Sequence, residues 1–383
     1  MKNVLLVFGG KSYEHDISVV TAFQIYKKSR LVDVNLVLLY VSRDERFFVC
    51  NMKKLDIEDF SVKKFSGRNS LLKEVFFVSG EKGKMFAKTH FGLKEYISAN
   101  TAIFACHGGD GENGKLVTFF EKNGINCSAG SSDALAVCMD KFLFKSFAKG
   151  NNIPVVAGFK VTKHDYDFTR DLVIKKAKRY GFPLIIKTNS GGSSIGVFVA
   201  NTIEEFEQQI VQAFEFDDVV LIEKFVTGAR ELNVAVLGES SKFEISEIDE
   251  PIKTNQVLTF ADKYLSGDGK SQKGNKNLMA ASARKFPADL PKNIEQKIKL
   301  VAKKIFVLLE LRGVVRIDFL YDEKNNKIFV CEVNAIPGSL AFYFFKKNRI
   351  IVNDLMEKLI DTAENQEIKT VNQSLYVDIL TKK

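Results

Sequence analysis

Four side chains between positions 316 and 334 are spaced for chemistry. Arg316 and Asp318 stand two apart, and so do Glu332 and Asn334. In a strand, residues two apart share a face. The segment Glu323-Lys324-Asn325-Asn326-Lys327 between them reads as a turn. One antiparallel register centred on Asn325 puts Arg316 opposite Asn334 and Asp318 opposite Glu332, all on one face. Two carboxylates and a carboxamide with no lysine among them make a hard-cation site, most naturally magnesium with nucleotide phosphates. Arg316 would then bind a transferring phosphate or an oxyanion. The same face can also be a solvated ion-pair ladder, with Ile317, Cys331 and Val333 turned to a core.

A second candidate is the loop SGGSSIG at 190–196. Its glycines permit close backbone approach. Its amides and the hydroxyls of Ser193 and Ser194 can cradle phosphate oxygens, with Lys187 ending the strand before it. Such a hairpin would be a lid over phosphates; the other reading is an ordinary turn with solvated serines. A third is the glycine run at 109–114, preceded by His107. Gly109, Gly111 and Gly114 match a dinucleotide fingerprint, and Gly109 with Gly114-Lys115 matches a P-loop except that Leu116 stands where Ser or Thr must hold magnesium. A tight turn or another ligand loop is the better reading of so short a signal. His107, at a strand's carboxyl end beside that loop, is a candidate site residue. Glu14 follows Gly9-Gly10 at a helix start, where an acid is also a common cap.

The elements that must position these groups are legible. Residues 4–8 form a short apolar run ending in glycine, read as a buried strand followed by a helix from about Asp16. A second strand lies in 31–44, short strands alternate with charged loops over 50–95, and 101–114 repeats the strand-then-glycine pattern before a helix at 115–123. This alternation implies an open α/β layer with loops at the strand carboxyl ends. A helix is expected over 134–150. Two apolar strands then flank the 190–196 loop, and two more lie in 219–238. Residues 262–291 are polar and rich in Lys, Gly and Ser, which reads as a mobile loop. Ile294, Ile298, Val301, Ile305 and Leu308 keep the helical period, with Gly313 expected to end that helix.

Composition bounds the function. The chain has 383 residues, 45% hydrophobic and 27% charged, which suits a soluble protein of two to three domains. The net charge of +9 comes without a block of basic residues, so it does not by itself identify a nucleic-acid partner. Five cysteines without a CxxC pair, and four histidines, argue against zinc and against a disulfide framework. Neither a signal segment nor a transmembrane run is expected.

Taken together, FGGKSYEHDIS, HGGDGENGKL, MDK at 139–141, IIKTNSGGSSIGV, LIEKFVTGAREL, DKYLS, and RIDF followed by EVNAIPGS resemble the D-alanine–D-alanine ligases of the ATP-grasp superfamily, in family order from residue 8 to 339. The resemblance implies an N-terminal open parallel-sheet α/β domain (1–129) followed by a two-subdomain ATP-grasp fold (130–222 and 223–365) and a tail (366–383). It implies that Lys141 and Lys187 hold the α- and β-phosphates of ATP. Ser194 belongs to the phosphate loop. Glu223 and the backbone of Phe225 and Val226 take the adenine edge, Glu231 the ribose, and Lys263 the γ-phosphate. Asp318, Glu332 and Asn334 would hold two magnesium ions, with manganese an alternative.

The implied reaction makes an acyl phosphate from the first D-alanine, which the amine of the second then attacks. Arg316 and the Gly338 amide would form the oxyanion site, Glu14 would bind the first ammonium, and Ser193 and Tyr264 would link to Glu14. His107 would sit beside the acyl phosphate. The KYLS pattern favours D-alanine over D-lactate as second substrate, the D-lactate ligase being the alternative. The resemblance further implies a cytoplasmic homodimer in peptidoglycan precursor synthesis, binding neither nucleic acid nor membrane. The chain departs from the family at Asn113, where Asp is common, at Thr188, where Pro is common, and at Tyr343, near which a Ser usually binds the second substrate's carboxylate.

Overall fold

The computed structural model describes residues 1–51, 54–67, 69–252 and 284–366. The N-terminal part is built on one sheet of β1 (Lys2–Gly9), β2 (Val34–Val41), β3 (Phe47–Cys50), β4 (Leu72–Phe77), β5 (Lys84–Thr89), β6 (Gly92–Ser98), β7 (Thr101–Phe104) and β8 (Asn126–Cys127). Their order is β6-β5-β4-β3-β2-β1-β7-β8. The half made of β2, β1, β7 and β8 is parallel, as expected. The other half is an antiparallel meander. The links between β2 and β3 and between β5 and β6 are too short for the crossover that a parallel neighbour needs. Val4, Leu5, Leu6, Val7 and Phe8 are fully buried, as a central parallel strand covered on both faces must be. Helix α1 (His15–Lys28) follows β1, and α2 (Lys115–Lys122) follows the glycine run.

The single helix expected over 134–150 is two helices, α3 (Ser132–Met139) and α4 (Lys141–Gly150). Asp140 breaks it. Its backbone is extended at φ −82°, ψ 103°, and its carboxylate accepts the Leu143 amide at 2.8 Å. A short carboxylate stabilises a helix start better than a helix interior, so Lys141 becomes the first residue of a new helix.

The second sheet contains β9 (Gly158–Thr162), β10 (Leu184–Thr188), β11 (Phe198–Ala200) and β12 (Val219–Lys224) in the order β11-β10-β12-β9, all antiparallel. Helices α5 (Lys163–Tyr180) and α6 (Ile203–Ala213) cover it. It owns a separate small core that includes Phe159, Ile186, Phe206, Ile210 and Val220.

The third sheet runs β14-β13-β17-β18, from β13 (Arg230–Glu239), β14 (Lys242–Ile245), β17 (Arg312–Asp322) and β18 (Lys327–Asn334). A short pair, β15 (Glu250–Pro251) with β16 (Arg284–Lys285), lies beside it. Helices α7 (Lys292–Leu308) and α8 (Val352–Glu364) pack on this sheet, and its core is continuous with that of the N-terminal sheet. Gly313 does not end α7; Leu309 does. Gly313 lies inside β17 at φ +80°, where a Cβ would come within 2.1 Å of the Ser128 carbonyl oxygen. It is the point where β17 presses against the N-terminal part. No helix among the described residues is long and apolar enough to cross a membrane.

Candidate active site

Strands β17 and β18 carry the first wall of the site. They pair Arg316 with Asn334, Ile317 with Val333 and Asp318 with Glu332, in the register the sequence spacing predicts. A bulge after Asp318 then shifts the ladder, so Phe319 faces Val330 and Tyr321 faces Ile328. The expected register about Asn325 therefore holds only at the chemically active end. The bulge also overturns the expectation that Cys331 faces a core. Ile317 and Val333 are buried there, but Cys331 is half-buried on the cavity wall, with its sulfur 3.6 Å from Lys187 Nζ. An extra residue in one strand re-aims its side chain.

Strands β10 and β12 carry the opposite wall. Ile185 pairs with Glu223 and Lys187 with Leu221, so Lys187 and Glu223 are diagonal neighbours on one face. Lys187 donates to Glu223 Oε2 at 3.0 Å, and Lys145 lies 2.5 Å from the other carboxylate oxygen. Burial pulls the Lys187 ammonium toward neutrality, but neighbouring Cys331 and the Glu223 carboxylate outweigh it and hold its pKa above the ordinary range. Glu223, which the resemblance assigns to adenine, is 1% exposed and serves here as counter-ion to both lysines. Lys145 was not singled out from the sequence. Its place four residues after Lys141, hence on the same helical face, was a usable signal.

The loop 190–196 closes over this wall. Ser193 and Ser194 have φ of +51° and +60°, and the Ser193 hydroxyl donates to Glu14 Oε1. A Cβ at Gly192 would come within 2.2 Å of Glu14 Oε2, so glycine is what lets the loop reach the N-terminal part. Glu14 is the N-cap residue of α1, yet its side chain makes no capping bond. The capping role is thereby set aside, and the Ser193 link stands in its place. Lys141 Nζ donates to the Gly191 carbonyl and lies 3.9 Å from Glu332. Thr188, at the position where the family often has Pro, donates to the Ile195 carbonyl at 3.1 Å and braces the loop.

The two walls and Glu14 enclose one cavity of about 490 Å³, a size that suits a small-molecule site. Lys141, Lys187, Ser193, Ser194, Glu223, Phe225, Val226 and Glu231 line it, as do Glu14, Arg316, Asp318, Glu332, Asn334 and Gly338. The Phe225 amide is already donated to the Pro183 carbonyl at 3.1 Å, so its N–H is not offered to a base edge. Lys263 and Tyr264 lie outside the described residues. Asp249, Arg284 and Tyr343 also line the cavity. Of these, Asp249 and Arg284 carried no recognisable signal in the sequence.

His107 is the exception. It is buried and absent from the cavity wall. Its Nδ1 lies 2.8 Å from the Ile336 carbonyl, so that nitrogen carries the proton, and Nε2 accepts from the Thr21 hydroxyl at 2.9 Å. Thr21 in turn accepts the Ser339 amide at 3.0 Å. Burial lowers the His107 pKa to about 4 despite the carbonyl contact. The ring is neutral and buttresses the segment around Gly338. Glu112, in the glycine run, accepts the Gly108 amide at 3.0 Å, and burial followed by the charge of Glu14 pushes its pKa up to about 7. That run forms a short 3-10 turn ahead of α2, tied to the rest of the site through Glu112.

The face of Asp318, Glu332 and Asn334 has chemistry that suits a metal. Two carboxylates and a carboxamide oxygen converge on one wall, a donor set for a hard cation. Arg316 grips both oxygens of Asp318 at 2.7 and 2.8 Å, and Asn334 donates to one of them at 3.1 Å.

Comparison with known proteins finds relatives over most of the chain. The family model "D-ala D-ala ligase N-terminus" matches residues 3–130, and "D-ala D-ala ligase C-terminus" matches 147–361. The chain is 33% identical over 365 residues to a D-alanine–D-alanine ligase of Thermosipho melanesiensis, covering 94% of this chain and 93% of that one. It superposes on the crystal structure of the D-alanine–D-alanine ligase from Helicobacter pylori with a TM-score of 0.73 at 25% identity, over 96% and 100% of the two chains. The VanG D-Ala:D-Ser ligase from Enterococcus faecalis shares the fold at a TM-score of 0.76 and 22% identity, over 94% and 99%.

Proposed function

The chain belongs to the D-alanine–D-alanine ligase family, and from that premise we propose that its cavity joins two D-alanines into D-alanyl-D-alanine at the expense of ATP, for peptidoglycan precursor synthesis. The observation that carries this reading is the convergence of three surfaces on one cavity: the β10–β12 wall with Lys187, the β17–β18 wall with Arg316 and three oxygen donors, and Glu14 from the N-terminal part, joined to the loop by Ser193.

Each residue then has a task. Lys141 and Lys187 neutralise the α- and β-phosphates, and the 190–196 loop with Ser194 covers them. Glu231 takes the ribose, and Lys263 reaches the γ-phosphate. Asp318, Glu332 and Asn334 would hold magnesium, or manganese, which when bound offsets charge on the phosphate oxygens. Glu14 binds the ammonium of the first D-alanine. The carboxylate of that D-alanine attacks the γ-phosphorus, the bond from that phosphorus to the ADP oxygen breaks, and the products are an acyl phosphate and ADP. The amine of the second D-alanine attacks the acyl carbon, a proton is lost from that nitrogen, and phosphate departs. Ser193, linked to Glu14, assists that proton transfer, with Tyr264 as its proposed partner in that task. Arg316 and the Gly338 amide stabilise the oxyanion, an electrostatic contribution that depends on fixed donors. His107 acts behind Gly338 as a positioning residue.

The same proposal includes the three regions 1–129, 130–222 and 223–365, a homodimer, and a cytoplasmic location where ATP is available. Purified protein given ATP, magnesium and D-alanine should release phosphate and form the dipeptide, with each component required. Absence of dipeptide at saturating substrates overturns the reading. D-Lactate offered at neutral pH should give no depsipeptide.

A further inference from the structure

The family resemblance leaves one contact without an owner, because Tyr343 stands near the position of the usual carboxylate-binding serine. The structure supplies a second group there. The Arg284 guanidinium lies over the Tyr343 ring, its central carbon 4.6 Å from the ring centroid. Arg284 also reaches Asp249 Oδ2 at 3.3 Å. All three side chains line the cavity. Asp249 is 1% exposed, and its other oxygen, Oδ1, has no hydrogen-bond partner among the described residues.

This cluster sits beside the segment that carries Gly338. Tyr343 follows Gly338 in the same turn of chain. Asp249 bridges Asn233, which pairs with Asp318 across β13 and β17. Arg316 lies near enough to influence the charges of both Asp249 and Arg284. Arg316 is held bidentately by Asp318, and Arg284 reaches Asp249 Oδ2 and lies over the Tyr343 ring. A guanidinium stacked on a ring keeps its plane fixed, and a fixed plane is what a carboxylate can engage through two parallel N–H bonds.

We propose that Arg284, oriented by Tyr343 and Asp249, receives the carboxylate of the second amino acid. This rests on the ligase reading above and adds the basis of acceptor selection. The buried Asp249 carboxylate keeps the guanidinium at the cavity wall when no acceptor is bound. The Tyr343 ring takes over the orienting work that a serine hydroxyl cannot do for an arginine.

The test offers the full-length enzyme D-alanine and D-alaninamide together. D-Alaninamide has an amine and no carboxylate, so it can act only as acceptor. Wild type should favour D-alanine as acceptor by about ten- to a hundredfold, the range of a hydrogen-bonded charge pair. Arg284→Met should bring the two acceptors to near parity by raising KM for the second D-alanine, while KM for ATP and for the first D-alanine stays within about twofold. Arg284→Lys should keep an intermediate preference, and Asp249→Asn should lower it without abolishing it. If Arg284→Met fails to fold, the Arg284→Lys and Asp249→Asn ratios decide. Wild-type preference retained in the soluble variants overturns the proposal. An equal rise in both D-alanine KM values also overturns it. A wild type that forms no dipeptide overturns the ligase reading itself, which separates the two failures.

Discussion

Both ring nitrogens of His107 are committed, one to the Ile336 carbonyl and one to Thr21. A protonated ring would turn Nε2 into a donor against a hydroxyl and charge a site 3% exposed. Its folded pKa, about 4, therefore lies below the ordinary 6.5. Between those values the unfolded chain binds the proton and the folded chain does not, so stability falls as pH drops from about 6.5 toward 4 and is intact above 6.5. The expected loss is about 3 kcal/mol. His107→Gln can still donate to Ile336 and accept from Thr21. Denaturant titration at pH 7 and pH 4 should show a smaller acid loss in the variant by about that amount. Equal losses would remove His107 as the acid-sensitive group. The spacing of 316, 318, 332 and 334 was readable at this scale because a strand alternates strictly. Cys331 was misread because a bulge breaks that alternation, and nothing in the local residue types marks it.

At the scale of elements, the site depends on where helices start. Asp140 ends one helix and caps the next, and Lys141 is the first residue after the cap. Asp140→Ala should cost about 1 kcal/mol of stability and raise KM for ATP, because Lys141 loses its fixed origin. Asp140→Asn, which can still accept the Leu143 amide, should restore both. Calorimetry and ATP kinetics on the pair check this, and a stability loss without any KM change would separate the cap from the site. Helix α1 does similar work along one face. Glu14 meets Ser193, Thr21 meets His107 and Ser339, and Gln24 accepts from the Ser339 hydroxyl at 2.6 Å. One helix thus ties the lid to the loop after Gly338. That loop holds Ser339, Leu340 and Ala341 in the left-handed region, at φ 54°, 47° and 49°. Such a conformation costs L-residues free energy and persists because α1 and the buried core around Phe344 and Phe345 hold it.

For the whole molecule, the second sheet owns its own small core, while the third shares a core with the N-terminal sheet. The cavity lies where the second sheet meets the rest, so a nucleotide there joins two separately packed bodies. ATP with magnesium should raise Tm in proportion to the logarithm of its concentration above Kd. Lys187→Met should keep the fold, lose ATP turnover and lose most of that shift. A full shift in the variant would remove Lys187 from the phosphate role. The parallel core, the strand–loop–strand around 190–196 and the active face of the 316–334 hairpin are legible in the residues alone, because those follow from periodicity and turn chemistry within a few residues. It took the folded chain to show that Glu223 sits between two lysines, that His107 stands behind the cavity, and that Arg284 meets both Asp249 and Tyr343. Those contacts join residues far apart in the chain, through packing that no local pattern encodes.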